Sequence, residues 1–155
     1  MLIERCRPTD FNEIVTHLTE FWGSERAKSV HHPMFVHEFG DCAFVIRRDA
    51  VIAAYLFGFF SQTEPLFYVH LIAVRERYRH TGLGRQLYSH VLSLARARGC
   101  TEVKAITSPT NAESIAFHTG LGMKMTGEPQ PNGTSVMEDY AGPGGDRVVF
   151  RMLLS

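Results

Sequence analysis

The chain has 155 residues, 45% hydrophobic, 21% charged and 11% aromatic; that suits a single domain over residues 1–155 with an ordinary core, and excludes a disordered profile. Sixteen Lys plus Arg balance sixteen Asp plus Glu, which argues against a globally basic nucleic-acid binder and against an acidic tail. Three scattered cysteines (Cys6, Cys42, Cys100) without a C-x-x-C argue against a disulfide scaffold or zinc ribbon, and point to a reducing, cytoplasmic setting.

The opening Leu2-Ile3-Glu4-Arg5-Cys6-Arg7 alternates as a strand does, and it is too charged for a signal peptide. Asp10 with Glu13 reads as a helix start, and Phe11, Ile14, Val15, Leu18 and Phe21/Trp22 follow at helical spacing until Gly23. Ser24 to Gly40 is expected to hold a short helix and loop. Three strands follow: Cys42–Arg47, a tight turn at Arg48-Asp49, Val51–Phe60, a second turn over Ser61–Pro65, and Leu66–Val74. Runs this close together imply an antiparallel meander. The longest apolar stretch, Ala50 to Phe60, is about half of the ~20 residues a membrane span needs, so no membrane partner is expected.

The period then changes. Leu83, Leu87, Val91, Leu94 and Ala95 recur at three- and four-residue spacing, with Gly99 as the stop. Val103–Ile106 is a short strand. Thr110 to Glu113 forms a capping box that opens a helix through Thr119, before Gly120. A strand is expected over Met123–Thr126, a Gly- and Pro-rich loop over Glu128–Asp146 and a last strand over Val148–Leu154. The order predicts an α/β (α+β) fold: a mixed, mostly antiparallel sheet of six to seven strands with helices on both faces.

Arg79-His80-Thr81-Gly82-Leu83-Gly84-Arg85 lies between a strand and a helix. Two glycines one residue apart let the backbone curl towards an anion, and the following helix offers unpaired N–H groups and the positive end of its dipole. From Arg75 to Arg98 six arginines stand against Glu76 alone. A local cationic stretch in a neutral chain suits a small polyanion such as a diphosphate; a helix N-terminus that merely needs a tight turn is the plain alternative. No Walker loop is present. A dinucleotide fingerprint is disfavoured because Leu87 holds its third glycine position and an antiparallel meander precedes the loop.

Together these residues resemble the GCN5-related N-acetyltransferase (GNAT) family. The family's strand ends in a small-x-Val pattern and leads into an [RQ]-x-x-G-x-[GA] loop, matched by Leu71-Ile72-Ala73-Val74 and Arg79-x-x-Gly82-x-Gly84. A second family pattern is matched by Asn111-x-x-Ser114-x-x-Phe117-His118 followed by Leu121-Gly122-Met123. The resemblance implies acetyl-CoA as donor and no metal. It implies that the amides from His80 to Arg85 (His80, Thr81, Gly82, Leu83, Gly84 and Arg85) hold the pyrophosphate. The backbone of Ile72, Ala73 and Val74 would pair with the pantetheine arm, a splayed or bulged strand there turning an N–H to the thioester oxygen, and Asn111 would meet the arm from its other side. Three positions depart from the pattern: Glu76 for a common Pro, His80 for a common Gly, and His118 for the Tyr that serves family members as general acid.

Transfer requires a neutral amine, and an alkylamine of pKa about 10.4 is mostly protonated at neutral pH. His70, four residues before Val74 and on the same strand face, is the candidate base; a satisfied, partly buried histidine is the alternative. His118 is the candidate acid or thiol partner, and Tyr140 a stand-in from the last loop, which reads equally as plain surface. No residue is marked as a nucleophile, so direct transfer is expected. Phe21, Trp22, His31, His32, Phe35, His37, Glu38, Glu138 and Asp139 fall in segments that line the acceptor pocket in the family. His31, His32, His37 and Glu38 read as loop residues rather than a metal site. The expected activity is acetyl transfer to a primary amine of a small molecule or protein, with a homodimer through an edge strand as a further expectation. The rivals are a CoA-binding module without catalysis and a nucleotide-binding regulator.

Overall fold

A computed structural model describes residues 2–155. These residues group into two compact units interleaved along the chain. The first runs to Phe59 and resumes over Val69–Ser93; the second takes Phe60–Tyr68 and Leu94–Ser155.

In the first unit, β1 (Ile3–Arg5) leads into α1 (Pro8–Thr16) and α2 (Leu18–Trp22). Pro8 holds the first helical position, where its preset φ is an advantage, and the Arg7 backbone N–H donates to the Asp10 carboxylate at 2.8 Å. The helix therefore starts two residues before Asp10, which acts from within the first turn. It breaks at His17: the Thr16 hydroxyl bonds back to the Asn12 carbonyl at 2.7 Å, a competitor to helical pairing. Gly23 ends α2 in the left-handed region, φ +74°. The segment after it forms a 3-10 turn, Arg26–Val30, and the one-turn helix α3 (Met34–His37).

The strands β2 (Ala43–Arg48), β3 (Val51–Phe60) and β4 (Leu66–Val74) follow β1 in the order β1-β2-β3-β4, the end of β3 and the start of β4 belonging to the second unit. The β2–β3 turn falls one residue later than expected, at Asp49 (φ +51°) and Ala50 (φ +64°), a pair of left-handed residues that suits the twist of a two-residue hairpin. Leu18, Phe21, Phe35, Val45, Ile52, Tyr55, Phe57, Leu71 and Ala73 are buried in one hydrophobic cluster.

Pairing between β2 and β3 slips by a residue. Ile46 faces Ala54 and Arg47 faces Ile52, which leaves Ala53 as a bulge. The Ala53 carbonyl accepts the Arg75 backbone N–H at 2.8 Å, and the Ile52 carbonyl accepts Arg75 Nε–H at 2.8 Å. The Arg75 guanidinium, only 3% exposed, also pairs with Glu13 (3.1 Å) and Glu20 (3.0 Å) and lies 4.7 Å over the Phe21 ring. Glu13 in turn accepts the Ile52 N–H at 2.7 Å. One buried cation thus joins α1, α2, the β3 bulge and the end of β4. A 3-10 turn (Glu76–Tyr78) follows, and then α4 (Leu83–Ala97), whose Leu83, Leu87, Tyr88, Val91 and Ala95 are buried.

The second unit carries β5 (Glu102–Thr107), α5 (Ala112–Gly120), β6 (Lys124–Thr126), β7 (Glu128–Pro129), β8 (Ser135–Val136) and β9 (Val148–Leu153). The strand β9 lies between β5 and β6, antiparallel to both. Val103, Ala105, Val148 and Phe150 are buried along this pairing, and Arg151 joins Glu102 (3.0 Å) to Glu64 (3.4 Å). The cap of α5 is Asn111, whose side-chain oxygen accepts the Ser114 N–H at 3.1 Å; the Thr110 hydroxyl pairs with Ser108 instead. The cap therefore falls one residue after the expected Thr110, as a single Asn111 bond. The expected loop after Glu128 contains the β7–β8 ribbon. Gly127 is required there, because a Cβ at this position would collide with the Val136 carbonyl. Among the described residues, no helix is long and apolar enough to cross a membrane.

Arg75→Met would leave the Ile52 carbonyl without its Nε–H partner and the Glu13 and Glu20 carboxylates without their cation. With both carboxylates partly solvated, the loss is expected to be about 2 kcal/mol. Urea unfolding of the two proteins measures it, and an unchanged midpoint would show that the network does not support the fold.

Candidate active site

The exposure of β4 alternates, with Leu71 and Ala73 buried in the first-unit core and His70, Ile72 and Val74 on the more open face. His70 and Val74 thus share a face, as the strand period requires. The His70 ring stacks on Phe35 (centroids 4.5 Å apart, 14° between planes), and its Nε2 lies 3.2 Å from the Val30 carbonyl. A carbonyl only accepts, so the proton sits on Nε2 and Nδ1 is the acceptor nitrogen. Burial pushes the His70 pKa below its ordinary 6.5, partly offset by the Val30 hydrogen bond. The ring is a neutral base at pH 7.

Beyond β4, Arg79 donates through Nε to the Val74 carbonyl (3.1 Å) and through Nη2 to the Phe21 carbonyl (2.8 Å). Its guanidinium braces the loop from behind. Thr81 adds a second brace, its hydroxyl donating to the Tyr78 carbonyl at 2.6 Å. On either side of Thr81 the chain turns through two left-handed residues, His80 (φ +62°) and Gly82 (φ +88°). His80 takes the conformation that a glycine would supply, and histidine is among the side chains found there most often. A Cβ at Gly82 would meet no protein atom within 4 Å, so the backbone is open to approach from outside. The Gly82 carbonyl accepts the Gln86 N–H at 3.0 Å and starts α4. Leu83 and Gly84 are buried; His80, Thr81, Gly82 and Arg85 are exposed. Amides at the start of a helix lack intrahelical acceptors, and α4 runs for 15 residues behind them.

The cationic run that the sequence shows around this loop is largely structural. Arg75 is in the buried network, Arg77 lies 4.9 Å over the Tyr78 ring and Arg98 4.3 Å over Phe60. A surface cleft of about 330 Å³ is lined by Glu20, Arg75, Glu76 and Arg77.

In the second unit, Asn111 caps α5 and Phe117 packs edge-on against His118, centroids 5.2 Å apart. His118 is buried, stacked on Phe150 at 4.8 Å, with Nδ1 2.8 Å from the Ser114 carbonyl. The ring proton is therefore on Nδ1 and directed along the helix, and burial lowers the pKa below 6.5. Tyr140 is 38% exposed, with the Lys104 ammonium 5.3 Å above its ring. Tyr68, not singled out from the sequence, has its hydroxyl pushed up to about 12 by burial and then by Tyr140.

His31, expected as a loop residue, is buried: its ring contacts the Ala27 carbonyl and the Tyr55 hydroxyl. Among the described residues, no group of three or more His, Cys, Asp or Glu is placed to hold a metal ion. All three cysteines are free thiols; burial raises Cys6 to about 12 and also raises Cys100. Sequence reasoning counted Arg75 as a loop cation and passed over Tyr55. The signal for Tyr55 was present: it is the one polar side chain in the run Val51–Phe60, and a buried hydroxyl needs a partner.

The sequence pattern of the acetyltransferase (GNAT) family matches residues 9–123, which include β4, the 79–85 loop and α5. Over 99 residues the chain is 29% identical to an aminoglycoside N(6')-acetyltransferase type 1 of Serratia marcescens; the match covers 63% of this chain and 66% of that protein, just under two thirds of its length. A structure from Desulfovibrio desulfuricans, described as a GNAT-family acetyltransferase, superposes with a TM-score of 0.80 over 99% of each chain at 21% identity. An aminoglycoside 6'-N-acetyltransferase complexed with coenzyme A gives 0.72 over 100% of this chain and 98% of that chain, at 12% identity. These likenesses carry the fold and bear out the mixed α/β architecture expected from the sequence. With the family pattern over nearly three quarters of its length, the chain belongs to the GNAT family of acetyltransferases.

Proposed function

We propose that the chain is an acetyl-CoA-dependent N-acetyltransferase that moves an acetyl group directly to a primary amine of a small molecule or protein. The observation that carries this reading is the left-handed pair His80 and Gly82 opening onto the start of α4, within the span that matches the family. A curl of amides ahead of a long helix suits a diphosphate, and the open side of Gly82 leaves room for one.

Acetyl-CoA supplies the activated acetyl group as a thioester. The amides from His80 to Arg85 hold its phosphates, with Arg79 and Thr81 fixing the loop from beneath. The backbone of Ile72, Ala73 and Val74 aligns the pantetheine arm and offers an N–H to the thioester oxygen. His70 takes the proton from the acceptor ammonium at Nδ1, the nitrogen left unprotonated by the Val30 contact. A depressed pKa makes this a weaker base, and one that is always available at neutral pH. In the second unit, Asn111, Phe117 and His118 are assigned to the donor through the family resemblance. With its proton committed to the Ser114 carbonyl, His118 serves as a packing partner for the thiol end. Tyr140 keeps a place as the proton donor to the leaving thiolate. The raised thiols of Cys6 and Cys100 support transfer without an acyl-enzyme.

The direct test is release of free CoA on mixing acetyl-CoA with a panel of amines, amino acids and aminoglycosides; binding without release across the panel would leave only a CoA-binding module. Gly82→Ala places a Cβ on a left-handed residue. It is expected to cost about 1 kcal/mol of stability and to weaken acetyl-CoA binding at least tenfold by calorimetry, and unchanged affinity would remove the loop from the site. Because the His70 pKa lies below 6.5, its base form is present above that pH and lost below it. The acid limb of kcat should therefore fall below pH 6.5, and His70→Gln should abolish that limb and slow turnover at least tenfold. Cys100→Ala is expected to keep its turnover; loss of activity in a folded Cys100→Ala protein would replace direct transfer with a thioester intermediate.

A further inference from the structure

The hydrogen bonds around Tyr55 have a fixed direction. Trp22 Nε1 lies 2.6 Å from the Tyr55 oxygen, and an indole N–H can only donate. The Tyr55 hydroxyl is therefore an acceptor toward Trp22 and sends its own proton elsewhere. His31 Nε2 lies 2.6 Å away on the other side. If Tyr55 donates there, Nε2 is unprotonated and the His31 proton is on Nδ1, 2.7 Å from the Ala27 carbonyl, an atom that only accepts. All three contacts are satisfied by one arrangement of protons.

That arrangement anchors the turn that touches His70. Ala27 lies within the 3-10 turn Arg26–Val30, and the last carbonyl of this turn, on Val30, is the one that meets His70 Nε2. The turn has no buried side chain of its own. The next residue, His31, is buried and reaches back to it. Phe35 supports both histidines: it stacks on His70 and packs against Phe57, which His31 meets edge-on at 6.3 Å. Among the described residues, the titratable groups that bear on the His31 ring are Tyr55, by its hydrogen bond, and His70, and burial lowers the pKa of both histidines below 6.5.

We propose that Tyr55 is a positioning residue for His70: through His31 it fixes the Arg26–Val30 turn, so that the Val30 carbonyl holds His70 in the Nε2–H form with Nδ1 presented as the acceptor. The proposal rests on the reading of His70 as the base for its effect on turnover, but not for its effect on the tautomer. Tyr55→Phe keeps the buried ring and removes the oxygen. Long-range 15N NMR of the His70 ring is expected to change from a single Nε2–H tautomer to a mixture. Turnover should fall about tenfold with KM for acetyl-CoA within twofold, and the acid limb of kcat should move toward pH 6.5. Trp22→Phe, which removes only the donor to Tyr55, should give a smaller change of the same kind and serves if Tyr55→Phe does not fold. Wild-type His70 ring shifts in the folded variant would overturn the proposal. If instead His70→Gln keeps full activity, the base assignment fails, and the tautomer measurement still decides the role of Tyr55.

Discussion

A guanidinium taken out of water must meet anions and carbonyls on nearly every side, and Arg75 does so. Its partners come from places far apart in sequence: Glu13 and Glu20 on the first two helices, the carbonyl of Ile52 beside a bulge in β3, and the ring of Phe21. The bulge supplies the fit, since the unpaired Ala53 carbonyl takes up the Arg75 backbone N–H. Removing any one partner would leave the others facing a buried charge, and desolvated charges tolerate that poorly. The cation sits directly after the end of β4 at Val74, four residues before the loop at 79–85.

The same unit places polar atoms within an aromatic core. Trp22, Tyr55 and His31 bring polar ring atoms beside the phenylalanines of this core, and each finds a partner. Among the described residues no buried side-chain nitrogen or oxygen lacks a hydrogen bond. Such a network has few alternative arrangements, which gives neighbouring groups a defined orientation. For an imidazole the orientation includes the choice of which nitrogen carries the proton, and that choice decides which nitrogen can accept one.

Most of the fold was legible because its periods are strong. The strands Val51–Phe60 and Leu66–Val74 and the stripe of α4 fall where alternation and helical spacing put them. Boundaries went astray where side chains compete with the backbone. Asp10 looked like a cap and serves as a third residue, Thr110 yielded its capping role to Asn111, and Thr16 broke a helix that the apolar pattern alone would have continued. The loop at 79–85 was legible from its glycines, whereas the duty of its arginines was not. Whether a guanidinium faces a ligand or a carbonyl depends on partners such as Glu13 and Phe21, some sixty residues away in sequence, and no local pattern records them. His31, expected as a loop residue, and His118, expected as the acid or thiol partner, are both buried, each with its Nδ1 on a carbonyl four residues earlier.

The hairpin tip between β2 and β3 has a bearing on engineering. Asp49 and Ala50 both occupy a region that glycine or asparagine would enter more easily, so a thermostability screen would favour an Asn-Gly replacement there. Yet Asp49 also accepts the Tyr78 hydroxyl at 2.7 Å, and Tyr78 sits in the turn just ahead of the His80–Gly82 curl. Relaxing the tip by removing that carboxylate would untie the turn that leads into the loop at residues 79–85. Natural variation at this corner should therefore be freer at Ala50 than at Asp49, with heat tolerance gained at Ala50 without loosening the tie between the hairpin tip and Tyr78.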